Sequence, residues 1–276
     1  KWDKIKSLSI GKEATMIITG YETTVGENPI SSDLINFLTS ADSVGAPIFF
    51  RDVPLPFSYA LDNLKEIKWR VGNIAMDTHA RVVMDSLHVC ANCHSFSADG
   101  STLGMDVDAH SDKDAYGITD VVEETTLYKM LHWSEFQDGE PTYGLLANIS
   151  PDGEYIAATL KDNEFFITRP DLAYSQLFFP IKGILVICDR DKEKYWSLPG
   201  ANNKEYVQTN PSWSPDVETL LFARAEAIPR EESGFRDAFD KDTAVFNDLA
   251  DEFVLEGREF KYDVYKIPFN DGKGGA

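Results

Sequence analysis

Short segments in which apolar and polar residues alternate recur along this chain. Tyr155–Leu160 and residues 220–223 show a period of two, and residues 184–187 form a short apolar run. Such lengths, with many β-branched and aromatic residues, are typical of strands, and the apolar run is typical of a buried one. The pattern therefore predicts a mainly β protein. No apolar run is long enough to predict a membrane-spanning helix.

Three predicted strands follow similar turn sequences. Residues 97–100 read Ser-Ala-Asp-Gly, residues 150–153 read Ser-Pro-Asp-Gly, and residues 214–217 read Ser-Pro-Asp-Val. Proline presets the first dihedral angle of a turn, aspartate caps the turn, and glycine accepts a positive φ. Because Val217 replaces the glycine of the other two turns, we expect the third turn to have a different geometry.

Repeated units of turn plus strand indicate a β-propeller, in which each blade is a small antiparallel sheet. Three repeats are clear and up to four blades can be placed, whereas a propeller typically has about 4–8. We therefore expect an all-β propeller that is partial in this chain, so that a longer polypeptide or a second chain completes the ring. Residues 149–157 and 211–223 resemble TolB-type, WD-repeat-like propeller repeats.

One short motif points to a cofactor. Cys90-Ala91-Asn92-Cys93-His94 matches C-x-x-C-H, the attachment motif of c-type haem, and it contains two of the three cysteines in the chain. The two thiols form thioethers with the porphyrin, and the imidazole of the histidine bonds the iron. We expect one covalent haem c on Cys90 and Cys93, with His94 as the proximal iron ligand.

Other interpretations of the cysteines remain open. A redox pair or disulfide of the thioredoxin type usually opens a helix after a strand, whereas a turn and a strand are predicted after this motif. A zinc site needs further ligands at suitable spacing, and the chain has no second C-x-x-C. Cys188 follows the apolar run and predicts a buried thiol that packs as a small hydrophobic group.

The motif also carries a family resemblance. Residues 47–57, 90–107 and 262–275 together resemble exported bacterial propeller proteins with a C-x-x-C-H inside a blade. The middle domain of the hydrazine synthase alpha subunit is a more distant relative of that type. The resemblance implies a propeller with a single c-type haem in a haem-binding segment at residues 85–115. It does not carry over the synthase reaction, which needs partner subunits and further haems.

The opposite face of the iron needs a second ligand or stays open. The main candidates for a distal ligand are Met105, His110 and His79, and the others are Met76, Met84, His88 and His132. A thioether from Met105 would raise the reduction potential and favour electron transfer. Met105 is equally well explained as a core residue of a strand that begins at Thr102.

Acidic residues dominate the charge of the chain. The formal net charge is −20 and the pI is about 4.5. This charge argues against nucleic acid and anionic membranes as partners, and it would steer a basic redox partner. Four aspartates follow the haem motif, and we expect solvated turn acids rather than a calcium site; they are Asp106, Asp108, Asp112 and Asp114.

Two regions differ from the repeats. Residues 1–45 predict an N-terminal β segment or the edge of a preceding domain, with a strand at residues 14–21 and a short serine-capped helix at residues 32–38; residues 46–276 carry the blades. Residues 231–256 have aromatic residues at helical spacing, which predicts an amphipathic helix inserted in a late blade and packed on its own propeller.

These features lead to one functional expectation and two alternatives. We expect an electron-transfer protein, or a subunit of a multihaem redox complex, with other subunits or blades as partners. The alternatives are an oxidoreductase that binds a small molecule at an open iron, and a binding scaffold in which the haem is structural. Because haem is attached outside the cytoplasm, the location would be periplasmic or extracellular. Lys1 begins no visible signal peptide, so we expect a processed protein or part of a longer one.

Overall fold

The computed structural model describes most of the chain, with gaps. The described residues are 2–21, 28–42, 45–75, 78–87, 89, 91–109, 112–121, 129–136, 144–160, 165–167, 177–179, 182–227, 251–253 and 255–275. They divide into two compact units, one formed by residues 1–50 and 69–82 and the other by residues 51–68 and 83–276. Within these ranges no helix is long and apolar enough to cross a membrane.

Strands make up most of the described secondary structure. The two α-helices are α1 (Trp2–Ser9) and α2 (Phe57–Asp62), and short 3₁₀ helices lie at Leu64–Glu66 and Trp133–Glu135. The strands are β1 (Glu13–Tyr21), β2 (Pro29–Leu38), β3 (Pro47–Asp52), β4 (Lys68–Asn73), β5 (Arg81–Met84), β6 (Ala91–Phe96), β7 (Thr102–Ala109), β8 (Asp112–Asp120), β9 (Lys129–His132), β10 (Gly144–Ile149), β11 (Tyr155–Leu160), β12 (Phe165–Ile167), β13 (Leu177–Phe179), β14 (Ile184–Asp189), β15 (Lys194–Ser197), β16 (Tyr206–Trp213), β17 (Thr219–Glu226) and β18 (Asp263–Pro268).

Besides the two-stranded sheet β12-β13, the larger unit contains, among its described residues, three antiparallel sheets that follow one another along the chain. They are β6-β7-β8-β9, β10-β11-β14-β15 and β16-β17-β18. The first strand of each sheet contacts the first strand of the next, so β6 meets β10 and β10 meets β16. Small antiparallel sheets that pack face to face and converge at their first strands have the arrangement of propeller blades. The chain is therefore mostly β, with a propeller-like succession of sheets, as the repeats predicted.

The middle sheet is buried on both faces. All six residues of β14 are buried, which explains why this strand is almost continuously apolar. Ile184, Val186 and Cys188 face one apolar cluster shared with the first sheet, whereas Leu185 and Ile187 face a second cluster shared with the third sheet. Burying each such aliphatic side chain stabilises the fold by about 1.5–3 kcal/mol, so neighbouring sheets stabilise each other.

The three repeated turns have the same geometry. In each turn the serine hydroxyl accepts a hydrogen bond from the backbone N–H five residues later, at 2.9–3.0 Å. The serine hydroxyl also donates to the aspartate two residues on. That aspartate accepts the N–H at the fifth position of the turn. The chain then enters the second strand of each sheet, as the sequence predicted.

Val217 does not change its turn, contrary to the sequence-based expectation. Its φ is 63°, close to the 71° of Gly100 and the 77° of Gly153. A left-handed conformation costs a non-glycine residue roughly 1–2 kcal/mol. The side chain of Val217 packs against the cluster between the second and third sheets, which offsets part of that cost. The serine and aspartate bonds thus determine the turn, and glycine only lowers its energy.

The expected helix at residues 32–38 is wrong. These residues belong to β2, which pairs with β1 along its full length, and the Oγ1 of Thr15 donates to the Oδ1 of Asn36 at 2.8 Å. The strand predicted at residues 14–21 is confirmed as β1. Cross-strand pairing over nine registered pairs outweighs a local serine cap.

The proposed helical insertion falls mainly outside the described residues. Residues 228–250 are not described, and residues 251–253 are helical. Strands β3, β4 and β5 form a further three-stranded sheet.

The shared turn geometry predicts the effect of an alanine at Gly100. A Cβ there would meet no atom within 4 Å, so the cost is conformational only, and Gly100→Ala should lower the free energy of unfolding by roughly 1–2 kcal/mol. Gly45 also has open space around its Cβ and no positive φ, so Gly45→Ala should not destabilise the protein. Urea unfolding followed by circular dichroism measures both. Equal stability of the two variants would contradict the assigned turn.

Candidate functional site

The last two residues of the C-x-x-C-H motif, Cys93 and His94, lie on β6, the first strand of the first sheet. Cys90 lies outside the described residues, as do His88 and His110. Cys93 and His94 are both half-buried, and the His94 ring lies edge-on to Phe96 with centroids 6.3 Å apart. The structure therefore places a partly accessible thiol and imidazole side by side on the strand that approaches the next sheet.

Cys93 forms a β-bulge. Pairing between β6 and β7 is interrupted between Asn92 and Ser95, and Cys93 has a φ of 48°. Leu146 in β10 and Asn210 in β16 have φ values of 57° and 54° at equivalent bulges, each four residues before the turn serine. The left-handed residue is thus a feature of the repeated sheet. At this bulge, two consecutive residues, Cys93 and His94, lie opposite a single residue of the partner strand.

A hydroxyl pair anchors the strand beside His94. The Oγ of Ser95 lies 2.8 Å from the Oη of Tyr116 and accepts the N–H of Ile149 at 2.9 Å. Tyr116 is completely buried, and this burial raises the pKa of its phenol far above the usual value. The phenol therefore remains neutral and serves as a hydrogen-bonding group that joins β6 to β8 at the contact with β10.

The sequence suggested that Asp106 is a solvated turn acid, and this expectation is wrong. Asp106 lies within β7 with 5% of its surface exposed, and its Oδ2 accepts the N–H of Ala147 at 3.1 Å. The acids before and after residue 109 belong to the paired strands β7 and β8 rather than to a loop. Asp106 therefore satisfies a backbone donor at the bulge of β10.

Asp108 is half-buried in β7, while the side chains of Asp112 and Asp114 lie outside the described set. Among the residues that the structure describes, no group of three or more His, Cys, Asp or Glu side chains could hold a metal ion.

The candidate distal ligands have different environments. Met105 is fully buried in β7, in the strand that begins at Thr102 as predicted. His79 is exposed and belongs to the smaller unit, whereas Met84 and His132 are half-buried residues of β5 and β9. Met76 lies outside the described residues. Complete burial fits the interpretation of Met105 as a core side chain of this strand.

Cys188 is a buried core thiol, as the sequence predicted. It is fully buried in β14, and this desolvation raises the pKa of the thiol to about 12, although a hydrogen bond with Tyr195 opposes the shift. Only the thiolate is a strong nucleophile or ligand, so Cys188 is chemically inert near neutral pH. Cys93, by contrast, is only half-buried.

Sequence patterns missed the anchor around Ser95, although one signal marks it. Gly104 lies within β7, and a Cβ there would lie 2.1 Å from the Oη of Tyr116. Glycine inside a strand often marks a site where another group approaches closely. A glycine at position 104 therefore indicates that a bulky group such as the ring of Tyr116 lies close to it. It gives no information about the hydroxyl of Ser95.

Comparisons with known proteins match this chain at the level of solved structures. No protein-family model and no curated protein sequence matches it. It is similar to a putative TolB from Agrobacterium tumefaciens, with 15% identity, a TM-score of 0.37, and coverage of 58% of this chain and 47% of that one. It is also similar to an oligogalacturonate lyase in complex with manganese, with 11% identity, a TM-score of 0.37, and coverage of 72% and 52%.

A third similar structure is the tricorn protease, with 12% identity, a TM-score of 0.31, and coverage of 58% of this chain and 13% of the protease. The chain thus spans about half the length of the first and second of these proteins and far less of the third. TolB-like and propeller-type structures are therefore among those similar to this chain. The assignment of the sheets depends on their own order and packing.

The contrast between the two described cysteines predicts their reactivity. In chain prepared without haem, iodoacetamide at pH 8 should alkylate Cys93 in the folded state. Cys188 should react about a thousandfold more slowly than an ordinary thiol, because its pKa is raised from 9.0 to about 12. Peptide mass spectrometry measures both sites, and urea-unfolded chain, in which both should react, is the control. Rapid native alkylation of Cys188 would contradict its described environment.

Proposed function

We propose that this chain is a c-type haem protein on a propeller-like scaffold, with electron transfer as its function in an exported redox protein or complex. The supporting observation is the position of the motif: Cys93 and His94 lie half-buried at a bulge on the first strand of a sheet. A thiol with a purely structural role is expected to be fully buried, as Cys188 is. The resemblance of residues 90–107 to haem-bearing propeller segments agrees with this proposal.

The partial exposure of Cys93 and His94 supports a haem at this site. Cys90 and Cys93 would hold the haem through thioethers, and His94 would bond the iron through an imidazole nitrogen. The haem, when bound, supplies a one-electron redox centre. The chain itself holds Cys93 and His94 next to each other through the bulge, and it keeps neighbouring Asp106 and Tyr116 in hydrogen bonds with β10 and β6.

The charge of the chain supports a protein partner rather than nucleic acid. A net charge of −20 would speed the approach of a basic redox partner, an effect that weakens as salt is added. Attachment of haem c outside the cytoplasm places the proposed protein in the periplasm or outside the cell.

The second axial position decides between the remaining functions. Met105, His110, His79 and an open site stay the proposals for this position. A low-spin, six-coordinate haem that is inert to carbon monoxide would support electron transfer. A high-spin haem that binds carbon monoxide readily would support an oxidoreductase with a small-molecule substrate. A potential beyond the reach of biological donors would support a structural haem.

Expression in cells that attach haem c tests the proposal directly. The mass of the intact chain should increase by that of one haem. Cys93→Ser should lower or abolish the fraction of chain that carries haem, and Cys188→Ser should leave that fraction unchanged. His94→Ala should retain the covalent haem but lose the wild-type absorption spectrum, because the imidazole would no longer bond the iron. A colourless wild-type protein with alkylatable thiols at Cys90 and Cys93 would overturn the haem assignment.

A further inference from the structure

The strand that carries the C-x-x-C-H motif has a bulge where the motif ends. Between Asn92 and Ser95 the register with β7 shifts, so Cys93 and His94 together lie opposite the single residue Met105. The first side chain after them is Ser95, which is hydrogen-bonded on two sides. Its hydroxyl meets the N–H of Ile149 from β10 and the phenol of Tyr116 from β8.

We propose that Ser95 and Tyr116 are positioning residues that fix Cys93 and His94 for haem attachment and iron ligation, an inference that rests on the proposed haem function. Three strands, β6, β8 and β10, meet at the Oγ of Ser95. A single hydroxyl therefore links the strand that carries the motif to the neighbouring sheet.

Tyr116 is a rigid anchor for this contact. Its side chain has 0% exposure, and Gly104 leaves the space that its ring occupies, since a Cβ there would lie 2.1 Å from the Oη. Because the ring cannot shift, its hydroxyl determines where Ser95 lies. Side chains that bind a metal or a reacting group need supports whose own positions are fixed by packing and hydrogen bonds.

The next junction between sheets provides a matched control. The Oγ1 of Thr159 in β11 donates to the Oγ1 of Thr209 in β16 at 3.2 Å. Both threonines are buried, as Tyr116 is, and they likewise join neighbouring sheets by paired hydroxyls. They lie in sheets that do not carry the motif, so loss of this pair would reproduce a general packing defect without disturbing Ser95.

The experiment compares Ser95→Ala, Tyr116→Phe, Ser95→Thr and Thr159→Val, each as haem-loaded protein. A less well fixed His94 donates less charge to the iron and stabilises its oxidised state less. Ser95→Ala and Tyr116→Phe should therefore raise the midpoint potential by about 59 mV, which is a tenfold change in the ratio of reduced to oxidised haem. Ser95→Thr retains the hydroxyl and should restore the wild-type potential, and Thr159→Val should not shift it.

A second measurement uses chain without haem. The rate of Cys93 alkylation should rise several-fold in Ser95→Ala and Tyr116→Phe, and it should stay at the wild-type value in Thr159→Val. If no variant carries haem, the proposed function fails while this rate still tests the positioning role. If haem is present but potentials and rates in Ser95→Ala and Tyr116→Phe equal those of Thr159→Val, the positioning role is wrong.

Discussion

Mutual burial of neighbouring sheet faces is the constraint on which the larger unit depends. The middle sheet contributes alternate residues of β11 and β14 to two separate apolar clusters, and each cluster needs an adjacent sheet to be complete. A small sheet with two apolar faces would be unstable alone, because its apolar surface would remain in water. The position of the haem motif follows from this packing, since β6 approaches β10 at the edge of the first shared cluster.

The repeated bulge changes how the backbone at Cys93 should be interpreted. A non-glycine residue with positive φ at a functional motif suggests strain stored for function. Leu146 and Asn210 adopt the same conformation in the next two sheets, where no C-x-x-C-H is present. The scaffold therefore supplies the bulge, and the motif uses a conformation that every described repeat already has. What distinguishes the first sheet is the chemistry of residues 93–95, not their backbone.

Strands were the most predictable part of the fold, because alternation and turn chemistry act over a few residues. Tyr155–Leu160 and the apolar run in β14 were identified correctly, since burial on one or both faces leaves a direct mark on the sequence. The helix expected at residues 32–38 failed because pairing with β1 outweighs local capping. The expected difference at Val217 failed because the serine and aspartate bonds determine that turn.

The site was only partly predictable for a related reason. C-x-x-C-H is contiguous, so the sequence names Cys93 and His94, but Tyr116 and Ile149 reach the adjacent Ser95 only through strand order and sheet packing. Asp106 illustrates the difference: the pattern of acids suggests solvent, whereas the bulge of β10 presents a backbone N–H that needs an acceptor. Hydrogen bonds between sheets thus convert surface-like residues into supports, and the residues that support a motif need not resemble it in sequence.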